Sequence, residues 1–198
     1  MMYITAKRIG LSAMSAKPFH RGHDTLIRSA SKECDEVRVF VSLTDRKRPG
    51  ELPILGSDMD RIWHELIEPA LPNNIKVEYG GEPVGRIWTV LGAASEVNSP
   101  DTFVVYGDET DLAARFKPAS LKKYAPNLDA AGRIELRRTD RITSATAVRR
   151  SIAAGDFESF RSEMPTWMDA QRAWDVLTHR TNEGLLRAYV RDLVRMPA

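Results

Sequence analysis

The chain has little that would tie it to an oxidising compartment or to a membrane. Cys34 is its one cysteine among 198 residues, which excludes an internal disulfide and is compatible with a reducing compartment. No apolar run approaches the roughly 18 residues that a membrane-spanning helix needs. The N-terminus also lacks the basic-then-apolar pattern of a secretory signal. These absences predict a cytoplasmic protein with no membrane partner.

Excess charge of either sign is also missing. The chain has 29 basic and 27 acidic residues, and its formal net charge of +2 is too small to favour nucleic acid as a partner. The basic residues are nevertheless clustered, in "DRKR" (45–48), "RRTDR" (137–141) and "RR" (149–150). Clusters on a near-neutral background suit a compact anionic ligand, and the alternative is that they are solvated loop charges.

What is present is an alternation of strand-like and helix-like segments. Short runs rich in β-branched and aromatic residues predict five strands, at 8–14, 37–43, 75–79, 102–107 and 133–138. Segments with apolar residues at helical spacing predict helices at 23–33, 57–71, 83–96 and 144–155. Strict alternation with short buried strands predicts an α/β protein, with a parallel five-stranded sheet and helices on both faces.

Two regions stand apart from this alternation. The tail from about residue 156 is amphipathic and helical in pattern, which predicts a domain at 1–155 and a helical C-terminal extension at 156–198 packed on it. The extension offers Trp174, Leu185 and Tyr189, among others, for packing. Residues 108–132 form the loosest stretch, which suggests a lid or an acceptor-binding insertion.

The segment "SAKPFHRGH" (15–23) lies where the first strand turns into the first helix. Ligands of such sheets bind outside the carboxyl ends of the strands, where a helix N-terminus favours an anion. Gly22 would let the backbone approach a ligand closely. His20 and His23 are three residues apart, so both rings could face one point, near Lys17. Such a set suits a transferring phosphoryl group; the alternatives are two surface histidines or a zinc pair.

A second group of polar residues opens the helix predicted at 144–155, in "ITSATAVRR" (142–150). The hydroxyls of Ser144 and Thr146, with the first N–H groups of the helix, would hold the outer phosphates of a triphosphate. Arg149 follows about one turn later and suits phosphate through paired donors. The alternative is an ordinary N-cap followed by an exposed basic helix face.

The two segments together resemble a known family. "PFHRGH" resembles the HxGH signature of the nucleotidylyltransferase superfamily, in particular the form "GRFQPFHLGH" of archaeal-type NMN adenylyltransferases. "ITSATAVRR" resembles the superfamily's second signature, (I)-S-(S/G/A)-T-x-(I/V)-R. The resemblance covers roughly residues 8–153, although "MSA" (14–16) stands where the family form has "GRF". Similar chains include uncharacterised phage-encoded nucleotidylyltransferases.

The resemblance implies a Rossmann-like fold and a Mg²⁺-dependent nucleotidyl transfer in the cytoplasm of a bacterial or phage-infected host cell. A phosphate of a small acceptor would attack the α-phosphorus of a nucleoside triphosphate, and Mg²⁺ would bridge the phosphates without a protein ligand set. The resemblance implies catalytic roles for His20, His23 and Arg149, and we add Lys17, which stands where other members of the family vary. It assigns nucleotide and phosphate binding to Ser15, Phe19, Gly22, Ser144, Thr146 and Asp108.

Three weaker assignments concern the acceptor and Asp108. Arg46 and Arg48, in the loop after the second strand, would receive an anionic acceptor or simply be solvated. Trp88 would stack on the acceptor's ring, as a nearby tryptophan does in several relatives, or lie in the core. Asp108 would bind a ribose hydroxyl or magnesium, or serve as a turn residue.

The nucleotide and the class of function keep alternatives at this stage. ATP is the first choice because "PFHRGH" with an arginine ending the second motif looks most like adenylyltransferases. CTP is the alternative, since "RTDRITSA" (138–145) also resembles the "RTEGIST" of cytidylyltransferases, one residue out of register. An alternative of another class is a non-catalytic nucleotide-binding or sensor module, and a homo-oligomer is possible.

Overall fold

Five parallel strands form one sheet in the computed structural model, which describes residues 5–49, 51–139 and 142–179. The strands are β1 (Arg8–Met14), β2 (Glu36–Val41), β3 (Ile75–Tyr79), β4 (Thr102–Gly107) and β5 (Ile134–Arg138). They lie in the order β3-β2-β1-β4-β5, and every neighbouring pair is parallel. The predicted α/β class and the five-stranded parallel sheet are therefore confirmed.

Nine α-helices lie within the described residues. They are α1 (Arg21–Glu33), α2 (Gly56–Ile62), α3 (Pro83–Glu96), α4 (Glu109–Arg115), α5 (Pro118–Tyr124), α6 (Pro126–Ala130), α7 (Ala145–Ala154), α8 (Phe157–Glu163) and α9 (Ala170–His179). A π-helical turn (Trp63–Ile67) and a 3-10 turn (Glu68–Ala70) continue α2, where the pattern predicted one long helix. None of the described helices is long and apolar enough to cross a membrane.

Both faces of the sheet carry helices. On one face Leu11 of β1 and Val105 of β4 share a buried apolar cluster with Ile87 of α3. Successive residues of a strand point to opposite faces, so Tyr106 faces the other side. There its hydroxyl donates a hydrogen bond of 3.1 Å to Glu33 at the end of α1. The central strands β1, β2 and β4 are largely buried, which explains why they read as short apolar runs, whereas the edge strands β3 and β5 are partly exposed.

The chain divides into two compact units. Among the described residues, the first contains the sheet and comprises 5–15, 23–42 and 71–139; the second comprises 16–22, 43–49, 51–70 and 142–179. Each segment of the second unit follows a strand in the chain, namely β1, β2 or β5. The domain boundary drawn at residue 155 stays a prediction. The tail is helical through α9, and Leu185 and Tyr189 lie outside the described residues.

The stretch 108–132 is not loose, contrary to expectation, because it forms α4, α5 and α6. Asp108 begins α4, and its carboxylate accepts the N–H of Asp111 at 2.8 Å. Pro118 and Pro126 open α5 and α6 at a position where a missing N–H costs no helical hydrogen bond. The prolines and polar residues that suggested a loop are the start signals of three short helices.

Candidate functional site

The order of the strands creates a crevice in the first unit. From β1 the chain moves outward to β2 and β3, and it then returns through α3 to β4 on the other side of β1. The connections after β1 and β4 therefore leave the carboxyl edge of the sheet in opposite directions, which is where ligands of open α/β sheets bind. This switch point places a cleft beside the residues that end β1.

A cavity of about 140 Å³ occupies that position. Its walls come from the ends of β1 and β4, the first turns of α3, and α4, with Ala13, Met14, Ser15, Ile87, Gly107, Leu112 and Phe116 among the lining residues. Drug-sized ligands usually occupy clefts of about 300–1,000 Å³. This cleft is therefore large enough for one ring or head group and too small for a whole nucleotide.

The helices around the cleft are already capped by carboxylates of the chain. Glu82 accepts the N–H of Gly85 at 2.6 Å at the start of α3, and Asp108 does the same for Asp111 in α4. Arg115, the cation of the lining, pairs with Asp111 at 3.5 Å between Nε and Oδ1. Because these carboxylates offset the positive ends of the helices, the cleft favours a neutral or cationic group over an anion.

The loop of the first motif lies in the second unit and is shaped around His20. The backbone N–H of Gly22 donates to Nδ1 of His20 at 3.2 Å, and the imidazole is 5% exposed. A β-carbon at position 22 would lie 3.1 Å from both Cε1 and Nδ1 of that ring, so glycine is the residue that leaves the ring its place. Since Nδ1 accepts a hydrogen bond, the ring proton of neutral His20 is on Nε2, which is then a donor.

Phe19 anchors this loop in the core of the second unit. Its ring is 1% exposed and meets Trp63 edge-to-face, with 5.2 Å between the ring centroids. Such a pair favours a fixed position for the residue that follows. The structure thus places the Phe19 ring in the core beneath the loop backbone, whereas the motif suggested that Phe19 contacts the nucleotide.

Lys17 is a buried cation at the start of the same loop. It is 5% exposed, and its Nζ donates to Oγ1 of Thr44 at 3.1 Å. Burial, followed by the nearby positive charge of Arg46, lowers the pKa of Lys17 below the ordinary lysine value, and Asp45 partly opposes the shift. A negative ligand would relieve this cost.

Arg149 connects the second motif to the first within the second unit. Its Nη1 donates to the backbone oxygen of Lys17 at 2.8 Å, although the two residues are 132 positions apart. Its Nη2 donates to Oγ1 of Thr146 at 2.9 Å, and its side chain is 7% exposed. Burial, and then the charge of Arg46, lowers the pKa of Arg149. The residues of the two signatures that the sequence predicted to cooperate are therefore in contact here.

Helix α7 begins at the second motif, as predicted. Ser144 is the N-cap, with its hydroxyl oxygen accepting the N–H of Ala147 at 3.2 Å. Gly155 ends the helix in the left-handed conformation, with φ 68°. The first N–H groups of an α-helix lack acceptors within the helix, so the start of α7 suits an anion.

Glu51 is a site residue that the sequence analysis missed. Its Oε2 accepts from Nη2 and Nε of Arg46 at 2.7 and 3.1 Å, and it lies 3.3 Å from Nε of Arg149. These contacts, Arg46 foremost, hold the pKa of Glu51 below its usual range. The signal available in the sequence was a carboxylate three residues after the cluster "DRKR", across "PG".

The remaining predicted residues have other surroundings, except for Arg48, whose positive charge lowers the pKa of both Glu51 and Arg149. Trp88 stacks on Phe116 at 5.0 Å and is not among the residues that line the cleft, whereas Ser15 lines it. Asp108 caps α4, and Arg48 is exposed. His23 is half-buried in the first turn of α1 and belongs to the first unit.

The other basic clusters have different surroundings. Arg137 pairs with Glu33 and Glu135, and Arg138 pairs with Glu109, so these charges of "RRTDR" are offset by the chain itself. Residues 140 and 141 lie outside the described residues. Within the part of the chain that the structure describes, no group of three or more His, Cys, Asp or Glu side chains could hold a metal ion.

Comparison with known sequences gives one partial match. Residues 9–50 match the family model described as the citrate lyase ligase C-terminal domain. This segment contains β1, the first motif and β2. A search of curated proteins gives no significant match.

Comparison with solved structures gives similarity along most of the chain. A nicotinic acid mononucleotide adenylyltransferase of Plasmodium falciparum, complexed with NaAD, has a TM-score of 0.56 and 11% identity, over 89% of this chain and 97% of that one. A predicted nicotinate-nucleotide adenylyltransferase of Vibrio parahaemolyticus has a TM-score of 0.53 and 13% identity, over 86% and 98%. A bifunctional NMN adenylyltransferase/ADP-ribose pyrophosphatase of Francisella tularensis has a TM-score of 0.55 and 11% identity, over 98% of this chain and 58% of that one. At these identities the similarity establishes a common fold.

Proposed function

Because the chain has the fold of adenylyltransferases of the nucleotidylyltransferase superfamily and carries segments resembling both of that superfamily's signatures, we propose that it transfers a nucleotidyl group. The donor is a nucleoside triphosphate, with ATP favoured, and the acceptor is a small phosphorylated molecule. The reaction releases pyrophosphate.

One observation carries this proposal more than the others. Arg149 of the second motif donates to the backbone of Lys17 in the first, and its neighbour Thr146 is bonded to the same guanidinium. Two motifs far apart in the chain thus place cations and a hydroxyl together in the second unit. Burial of the ammonium of Lys17 and of the guanidinium of Arg149 carries a desolvation cost, which a bound anion would reduce.

The proposed step is an in-line displacement at the α-phosphorus. An oxygen of the acceptor's phosphate forms a bond to that phosphorus, and the bond from it to the bridging oxygen of the pyrophosphate breaks. Pyrophosphate leaves with the electron pair of the broken bond. No covalent intermediate with the protein is needed, so the side chains act by positioning and by stabilising charge.

The roles in this step follow from the donors available. The Nε2–H of His20 would donate to an oxygen of the α-phosphate, where negative charge grows, and His23 has the same role on the strength of the motif. Lys17 and Arg149 would neutralise the phosphates, and Ser144 and Thr146 would hold the leaving pyrophosphate. Magnesium, held by the phosphates, would supply further neutralisation of their charge.

The cleft of the first unit suits an uncharged or cationic ring. Its helix ends are offset by carboxylates, and its volume of about 140 Å³ matches a single ring. A carboxylate head group would meet Glu82 and Asp111 and bind less well.

The decisive experiment is an assay for pyrophosphate. The full chain, Mg²⁺ and each of ATP, CTP, GTP and UTP are incubated with a panel of phosphorylated acceptors that includes NMN and nicotinate mononucleotide. We expect pyrophosphate release with ATP, dependent on the acceptor. If pyrophosphate were released with CTP alone, CTP and not ATP would be the donor, and the proposed class of reaction would still stand. Binding of a triphosphate without release for any acceptor would favour a nucleotide-binding module, and the absence of any binding would refute the proposal.

A further inference from the structure

One carboxylate is shared by two arginines in the second unit. Oε2 of Glu51 accepts from Nη2 and Nε of Arg46, at 2.7 and 3.1 Å, and lies 3.3 Å from Nε of Arg149. About a third of the Glu51 side chain is exposed, against 7% for that of Arg149. The anion is therefore accessible to solvent, while the cation that it contacts is buried.

Both terminal nitrogens of Arg149 already donate a hydrogen bond within the protein. Nη1 donates to the backbone oxygen of Lys17, and Nη2 donates to the hydroxyl of Thr146. The Nε edge faces Glu51, which also holds the guanidinium of Arg46. Carboxylate and phosphate use the same N–H donors of a guanidinium. A phosphate that binds Arg46 and Arg149 together therefore competes with Glu51.

We propose that Glu51 is an internal counter-ion, which aligns Arg46 and Arg149 before the nucleotide arrives and which the triphosphate displaces. This inference rests on the proposed function, since it takes the displacing anion to be a triphosphate. Glu51 is a positioning residue that acts through the two arginines and touches no reacting atom.

The backbone around Glu51 allows the side chain to leave while the loop keeps its shape. Arg46 and Ile54 exchange two backbone hydrogen bonds, at 2.8 and 3.0 Å. Leu52 and Ile54, which follow Glu51 in the chain, are buried and anchor this segment. Displacement then requires rotation of the Glu51 side chain, and the triphosphate takes its place as the acceptor for Arg46.

The counter-ion also gives the site a preference among anions. Without it, two neighbouring guanidiniums would attract any small anion from solution. With it, an incoming anion must offset the lost contacts of Glu51, which several linked phosphates do better than one. Glu51 therefore favours oligophosphates over inorganic phosphate.

The test is calorimetric titration of the full chain with inorganic triphosphate and, separately, with inorganic phosphate, without metal and at fixed ionic strength. Glu51→Gln keeps the size of the side chain and removes its charge. We expect this variant to bind triphosphate about tenfold more tightly than wild type, because a charge-assisted competitor has been removed. Binding of inorganic phosphate should gain at least as much, so that the preference for triphosphate shrinks.

Glu65→Gln is the matched control. Glu65 also bridges two arginines of the second unit, Arg61 at 3.0 Å and Arg172 at 2.5 Å, but both are half-exposed. The exchange of carboxylate for amide is identical, and we expect the affinity for triphosphate to stay unchanged. A gain in both variants would indicate a general charge effect and would overturn the inference.

The outcomes separate the inference from the proposed function. If wild type binds triphosphate and Glu51→Gln binds it equally or more weakly, Glu51 is not a displaced counter-ion and the proposed function stands. If neither protein binds triphosphate, both fail. Should Glu51→Gln not fold, Glu51→Asp replaces it: a carboxylate one methylene shorter holds the arginines less well, so a smaller gain is expected, and no gain would refute the inference.

Discussion

His20 depends for its orientation on a residue that has no side chain. The N–H of Gly22 donates to Nδ1 of the ring, and a β-carbon at that position would crowd the ring at 3.1 Å. The motif spacing HxGH thus has a local physical reason: the glycine fixes the tautomer of the histidine two positions before it. The Nε2–H is then a donor of defined direction, as charge stabilisation at phosphorus requires.

We expect His20→Ala to lower kcat by about 10²–10³, with a much smaller change in triphosphate affinity, since a preorganised donor acts on charge that develops in the transition state. His23→Ala should behave alike. The measurement is pyrophosphate release at saturating substrates, with thermal unfolding recorded in parallel. His64→Ala is the control, because His64 belongs to the same unit and pairs with Asp60 and Glu68 on an exposed helix face. Normal turnover in both His20→Ala and His23→Ala would mean that the segment 15–23 is only a turn with no role in catalysis.

The lowered pKa of Lys17 predicts how stability and triphosphate affinity depend on pH. Burial and Arg46 lower its pKa below the ordinary value of 10.5, so the free protein binds this proton less firmly than the unfolded chain does. Unliganded stability should therefore rise with pH between the lowered and the ordinary pKa, while affinity for triphosphate falls as the ammonium is lost. In Lys17→Arg the charge persists, and we expect the alkaline loss of affinity to disappear.

Calorimetric titrations between neutral and alkaline pH measure this difference. Lys47→Arg is the control, because Lys47 is an exposed lysine of the same unit, paired with Asp45 at 2.7 Å. It should reproduce the wild-type pH profile. The same profile in Lys17→Arg would mean that Lys17 does not contact the phosphates.

At the scale of elements, α7 converts a short polar segment into an anion site. Ser144 caps the helix, Thr146 accepts from Arg149, and Val148 and Ile152 are buried and hold the opposite side of the helix in the core. Cap, hydroxyl and guanidinium are thereby fixed on one rigid ten-residue helix. A site on a packed helix holds its donors in place better than a loop does.

Ser144→Ala together with Thr146→Ala should weaken triphosphate binding about tenfold, through loss of hydrogen bonds to a charged ligand, and leave nucleoside monophosphate binding nearly intact. Loss of the cap alone should cost about 1 kcal/mol of stability. Asp156→Ala is the control, since Asp156 caps α8 by accepting the N–H of Ser159 at 3.0 Å. It should lower stability without changing either affinity. If the affinities for triphosphate and monophosphate fell equally, the two hydroxyls would serve only the structure of α7 and would not contact the outer phosphates.

At the scale of the whole molecule, two kinds of surroundings are kept in different units. The sheet unit holds a small cleft whose helix ends are offset by carboxylates, and the other unit holds the buried cations Lys17 and Arg149. Phosphates and a neutral or cationic ring require these opposite electrostatic conditions.

Binding to the native state should be visible in thermal unfolding of the full chain. At a ligand concentration of about 100 times Kd, binding adds about 2.7 kcal/mol, or about 5–10 °C in Tm for a chain of this size. We expect this shift with ATP and Mg²⁺, and smaller shifts with GTP or UTP. A Tm shift with CTP alone would identify CTP, and not ATP, as the donor. If none of the triphosphates raised Tm, the assignment of phosphate binding to Lys17 and Arg149 would be contradicted.

Much of the fold could be predicted from local signals. The bounds of β1, β3 and β4 and of α3 agree with the structure, because strand runs and helical periodicity depend on neighbouring residues. The start of α7 was also predicted, since Ser144 is an N-cap and Gly155 a helix stop. The helices of 108–132 were missed because their proline and aspartate start signals also occur in loops.

The sequence by itself determined the α/β class, the two motifs and the chemical type of their residues, since residue identity and short-range spacing are sufficient for these. The tertiary structure decided the strand order, and with it the cleft between β1 and β4. It also decided which residues meet: Arg149 donates to the backbone oxygen of Lys17 and lies beside the carboxylate of Glu51, and both residues are far from it in the chain. Such contacts depend on how the whole chain is packed, and no local pattern of residues contains that information.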